Sequence, residues 1–173
     1  MLQGLWRVKK RDYDTEYESM AERGIFFLSR EEQLFPQRLA AIPDAPYSLY
    51  VKGTMPQEWN NKTVAIVGAR RCSAYGSSVA EKIAGRLAAS GAWVVSGMAS
   101  GVDGSGHTGA LRKNGYTCAV LGCGVDICYP KSNSRIYQEI LEKNRCDHFR
   151  ISTGYKSVCA TFPGKKQDHC RSC

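Results

Sequence analysis

An α/β fold built on a parallel sheet is predicted by three observations: short all-apolar runs with β-branched residues, a glycine closing each run, and helix-spaced apolar residues between successive runs. Val64, Ala65, Ile66 and Val67 form the first run and stop at Gly68, the pattern of a strand buried on both faces. Val79, Ile83 and Leu87, four apart, put one apolar face on a helix that closes at Ser90 and Gly91. Ala92, Trp93, Val94 and Val95 repeat the strand before Gly97. After Asp103 a shorter helix passes Ala110 and Leu111 to Asn114 and Gly115, and residues 117–121 form a third strand before Gly122. Ser132 or Asn133 can cap a last helix carrying Ile136, Tyr137, Ile140 and Leu141 on one face. The order β-α-β-α-β-α implies right-handed crossovers.

Residues 1–53 lack that rhythm and read as a short, mostly helical N-terminal segment with a linker. Residues 16–24 are weakly helical, and residues 35–39 suggest a short helix before the proline-stiffened stretch 42–46. Residues 47–53 suit an edge strand leading into the sheet domain, 54–144.

The chain has 173 residues, one domain's worth, and at that length roughly 70% of the unfolded surface can be buried without disulfides or a metal. Hydrophobic residues at 43% and charged residues at 23% exclude a disordered or collagen-like chain. No apolar run approaches the roughly 18 residues of a membrane span and residues 1–10 hold no signal-peptide core, so a soluble cytoplasmic protein without membrane contact is expected. Residues 1–144 hold 18 Lys+Arg against 14 Asp+Glu, and residues 145–173 hold 6 against 2, so each part carries +4. Cysteine shifts with charge: Cys72, Cys118, Cys123 and Cys128 are spread out, whereas Cys146, Cys159, Cys170 and Cys173 crowd the last 29 residues.

All strand C-termini of a parallel sheet lie along one edge, where open α/β sheets bind ligands. The first loop there, residues 68–76, places Gly68, Arg70, Arg71, Ser73 and Gly76 before a helix N-terminus, a composition suited to phosphate. Arg70 can grip phosphate with two parallel bonds as Lys cannot. The alternative is that Gly68 and Gly76 only permit tight turns. The loop matches neither G-x-G-x-x-G nor the P-loop, so no nucleotide cofactor is expected. The second loop holds Gly97, Gly101, Asp103 and His107; the Asp/His pair suggests acid-base chemistry. A structural reading is preferred, with Asp103 as a helix N-cap and His107 bonded to a backbone carbonyl. The third loop, with Gly122, Gly124 and Asp126, contains Cys123 and Cys128 at a spacing wrong for a zinc knuckle, and no metal is expected.

Taken together, the runs 66–76, 96–107 and 121–130, with 35–39, 42–46 and 49–53 upstream, resemble the DNA-processing protein A family (DprA, also called Smf) over about residues 24–144. The resemblance implies a Rossmann-like domain in a bacterial cytosolic protein. It also implies binding and protection of single-stranded DNA, loading of the RecA recombinase during natural transformation, a homodimer, and no enzymatic activity. The family's G-[SA]-R-x-x-S loop contacts DNA phosphates, which carries over to Gly68, Arg70 and Ser73. Gly106 stands where the family usually has Ala, and Val102 where Ile is common. A nucleotide-monophosphate phosphoribohydrolase, the enzymatic alternative on a related fold, would need a P-G-G-x-G-T-x-x-E motif that the sequence lacks.

After Asn144 the family text gives way. Codons can be chosen for residues 145–150 and 166–173 that in the next frame spell G-A-I-I-S and N-R-I-I-A-G-L, both family-like. Residues 145–173 are therefore expected to be an out-of-frame tail on a C-terminally incomplete sheet, leaving DNA binding impaired or the chain an inactive remnant. The stretch Cys146, Asp147, His148, Phe149 and Arg150 is expected to replace poorly a strand buried on both faces, and to leave the last helix unsupported.

Overall fold

Alternation of strand and helix after residue 62 builds the parallel part of the sheet, and the segment before it adds two more strands. The computed structural model describes residues 13–53, 62–142 and 149–152. Its elements are α1 (Tyr13–Glu22), β1 (Ile25–Ser29), α2 (Gln37–Ala40), β2 (Ser48–Gly53), β3 (Thr63–Ala65), α3 (Ala74–Ala89), β4 (Trp93–Ser96), α4 (Val102–Arg112), β5 (Thr117–Leu121), α5 (Ser134–Glu142) and β6 (Phe149–Ser152). A 3-10 turn at Lys131–Asn133 precedes α5. The sheet order is β1-β2-β6-β5-β4-β3. Strands β3 to β6 run parallel, and β2 lies antiparallel to both β1 and β6.

Each step from β3 to β6 moves one place in the same direction, so right-handed crossovers put α3, α4 and α5 on one face. Alternate residues of the strands serve the two faces. Val94 packs with Ala84, Ala88 and Ala110 beneath α3 and α4, and Ala119 and Leu121 pack with Met98, Leu111 and Ile140. On the other face Trp93 and Cys118 join Leu28, Phe35, Leu49, Val51 and Tyr116, with Leu39 and Ala40 against them. The Trp93 and Tyr116 rings stack there at 3.7 Å. Full burial of side chains such as Leu49 and Val51 stabilises by about 1.5–3 kcal/mol each.

The first parallel strand differs from expectation. Among the described residues β3 has β4 as its one neighbour, so it is an edge strand rather than one buried on both faces, and Val67 is 73% exposed. The buried stripe of α3 is Ala80, Ala84, Gly85 and Ala88, not Val79, Ile83 and Leu87; Ile83 is exposed. Small residues prevail because α4 comes so close that a Cβ on Gly109 would overlap the Glu81 carbonyl oxygen. The close pair is also bridged by Arg112 and Glu81. Strand β1 was not anticipated, and β2 is an inner strand between β1 and β6, not an edge.

The largest correction concerns the segment after Asn144. Phe149–Ser152 occupies the expected strand position, pairing with β5 on one side and β2 on the other. A slot flanked by two ladders supplies backbone partners on both edges, and Phe and Ile at alternate positions favour extended chain. The helix before it is supported as well: Ile140 is 1% exposed and packs against Met98 and Leu121. Residues 1–12, 54–61, 143–148 and 153–173 lie outside the described residues, and with them Cys146, Cys159, Cys170, Cys173 and most of the expected out-of-frame tail.

Candidate functional site

The turns after β3, β4 and β5 open side by side at the C-terminal edge of the parallel strands. The middle turn, residues 97–101, is the most constrained. Met98 is fully buried with φ +60°, a left-handed conformation that costs a non-glycine residue about 1–3 kcal/mol. Asn133 holds this kink by donating from Nδ2 to the Met98 carbonyl at 2.8 Å and the Ala99 carbonyl at 3.1 Å. Gly101 has φ +81°, and a Cβ there would overlap the Ala69 carbonyl oxygen. That closeness comes from the Val102 amide, which donates to the same carbonyl at 3.3 Å and draws the first and second loops together.

Asp103 makes the second tie. Its carboxylate is buried and accepts the Gly68 amide at 3.3 Å through Oδ1 and the Gly97 amide at 3.2 Å through Oδ2. The N-cap of α4 is Gly101, so Asp103 is not the cap expected from sequence; it stands in the first turn, where the helix dipole favours its charge. His107 is fully buried, with Nδ1 2.7 Å from Thr117 Oγ1, and that hydroxyl donates to the Val94 carbonyl at 2.9 Å. The single hydroxyl proton is thereby used, so His107 Nδ1–H is the donor to Thr117. Its partner is a side-chain hydroxyl, not the backbone carbonyl expected. Asp103 and His107 thus serve separate bonding arrangements and do not meet as acid and base.

The first loop is open by contrast. Gly68, Ala69, Arg70 and Arg71 are all exposed. Ser73 caps α3, its Oγ accepting the Gly76 amide at 3.1 Å, which leaves the hydroxyl proton free to donate outward. Gly76 therefore spends its amide on the cap. The Ala74 and Tyr75 amides at the same helix start have no partner among the described residues, nor do the Arg70 and Arg71 guanidiniums face a carboxylate within ion-pair distance.

In the third loop, Gly122 and Gly124 lie on the turn and Asp126 pairs with Arg23 beyond α1 at 3.0 Å. Tyr137 donates from its hydroxyl to the Val125 carbonyl at 3.0 Å. Cys123 and Cys128 are reduced, their thiols lying against the Ile127 and Pro130 carbonyls. Among the described residues no group of three or more His, Cys, Asp or Glu could hold a metal, and no helix is long and apolar enough to cross a membrane.

Sequence reasoning found the loops but missed Asn133 as a cross-loop donor. Its place before a helix signals a cap, and nothing local indicates that its partners lie 34 and 35 residues away.

With this geometry in hand, the family model of DNA recombination-mediator protein A matches residues 26–153, nine residues past the end of the resemblance read from sequence. Protein Smf of Synechocystis sp. is 38% identical over 117 residues, 66% of this chain and 29% of that protein. DNA processing protein DprA of Streptococcus pneumoniae is 39% identical over 109 residues, 63% of this chain and 38% of that protein. The X-ray structure of DprA from S. pneumoniae superposes with a TM-score of 0.63 at 30% identity, covering 86% of this chain and 49% of that one. DNA processing protein A from Helicobacter pylori, whose structure concerns its single-stranded DNA binding mode, gives a TM-score of 0.57 at 28% identity, covering 81% and 60%. The chain thus spans well under half the length of these curated relatives.

Proposed function

The chain belongs to the DNA recombination-mediator protein A family, and from that premise we propose that its loop-bearing edge binds single-stranded DNA through the phosphates. Arg70 and Arg71 supply charge, Ser73 a hydroxyl donor, and the Ala74 and Tyr75 amides the positive end of α3. Gly68 lets the loop pass close over α4 while its amide is held by Asp103. One observation carries this reading: the two carboxylates of the three loops are engaged, Asp103 by two amides and Asp126 by Arg23, whereas Arg70 and Arg71 have no acidic partner among the described residues. The edge is left cationic, with no carboxylate in the loops free to act as acid or base. This favours binding over nucleotide hydrolysis.

In the relatives' full-length setting we propose that this edge protects incoming single strands in the cytoplasm and that the protein recruits RecA onto them as a homodimer during natural transformation. The present chain is proposed to contribute the phosphate-gripping part of that work. Titration of labelled oligothymidylate against the 173-residue chain at several salt concentrations tests the reading. Affinity should fall linearly in log-log form, by about 0.7 for each phosphate neutralised. Absence of binding, or binding indifferent to salt, would contradict it.

A further inference from the structure

Large side chains left in water are unremarkable when scattered singly, but at this edge they are interleaved with free cations. Tyr75, the second residue of α3, is 80% exposed and follows directly on the Ala74 amide at the mouth of the first loop. Tyr129, at the end of the third loop, is 56% exposed; Ile127, two residues before it, and Val67, just before the first loop, are exposed as well. Arg70, Arg71 and Lys131 alternate with these groups along the chain, are themselves exposed, and have no ion-pair partner among the described residues. The first and third loops follow strands separated only by β4, two ladder spacings or about 10 Å apart. The edge therefore offers two rings, each largely uncovered, on a cationic ledge whose acids are already consumed. An aromatic face next to unpaired guanidiniums suits a flat, apolar-faced group attached to an anion, which is the chemistry of a nucleobase on its phosphate chain.

We propose that Tyr75 and Tyr129 are stacking platforms on which bases of a single-stranded nucleic acid lie while its phosphates pass over Arg70, Arg71 and Lys131. This rests on the phosphate-binding reading above and adds a base-contacting surface to it. Stacking uses the ring face, not the hydroxyl, and any base has such a face, so the contact is sequence-tolerant and Phe substitutes for Tyr.

The experiment measures affinity of the 173-residue chain, and of Tyr75→Ala, Tyr129→Ala, Tyr75→Phe and Tyr129→Phe, for oligothymidylate and for the same backbone without bases, each across a salt series. Each Ala variant should bind oligothymidylate about tenfold more weakly, with an unchanged salt slope. The Phe variants should match the parent, and all five proteins should bind the abasic strand alike. Protection of Tyr75 and Tyr129 from site-resolved ring nitration by oligothymidylate, but not by the abasic strand, gives a readout on the parent chain that survives any variant failing to fold. Salt-dependent binding that is equal for the two strands, or equal losses on both strands in the Ala variants, overturns the stacking and leaves the phosphate reading standing. No salt-dependent binding by the parent overturns both.

Discussion

The first and second loops touch, joined through Gly68 to Asp103 and Ala69 to Val102, yet they are built for opposite purposes. In the second, the conspicuous polar residues are buried and bond inward, Asp103 to two amides and His107 to Thr117. In the first, the polar residues are exposed and Arg70 and Arg71 have no partner among the described residues. An Asp/His pair near a glycine turn invites a catalytic reading, and here Asp103 is spent on holding the neighbouring loop and His107 on tying α4 to β5. The residues free to meet a ligand are those that the fold does not use.

If the second loop is the support, damage to it should appear first in stability. Asp103→Ala removes a charged acceptor shared by two part-buried amide bonds, and should lower unfolding free energy by about 2 kcal/mol in a urea titration. A loss below about 0.5 kcal/mol, the range of ordinary surface changes, would show that the two loops are not held by this carboxylate. His107→Gln retains a donor of poorer reach to Thr117, so a smaller loss of about 1 kcal/mol is expected, with single-strand affinity nearly unaltered. A folded His107→Gln protein that no longer binds DNA would move His107 into the ligand site. Thiol labelling sharpens the contrast without changing stability. Burial raises the Cys118 thiol well above its ordinary pKa, so the reactive thiolate is scarce at neutral and mildly alkaline pH, whereas Cys72, Cys123 and Cys128 are partly exposed. Site-resolved alkylation of the native chain should modify those three and spare Cys118; early modification of Cys118 would mean that the sheet beneath the loops opens readily.

Much of this edge was legible because its signals are local: an apolar run, a glycine, and a helix start at Ser73. What escaped depends on partners distant in sequence. Ile25, Phe26, Phe27 and Leu28 become β1 only by pairing with β2, and Phe149–Ser152 becomes β6 because a slot lies between β2 and β5. Asp103 carries a capping signal, yet one of its amide partners lies 35 residues away at Gly68. Ile83 fits the helical apolar spacing but lost its place to smaller neighbours once α4 packed close.

The division of labour between the loops is tested most directly by measuring salt-dependent binding of oligothymidylate and thermal unfolding together on the parent, Arg70→Ala and His107→Gln. Arg70→Ala should reduce the magnitude of the salt slope by about 0.7 while stability stays within about 0.5 kcal/mol of the parent, and His107→Gln should do the reverse. An unchanged slope in Arg70→Ala, with the slope altered instead in His107→Gln, would contradict the assignment of the first loop as the ligand face and the second as its support.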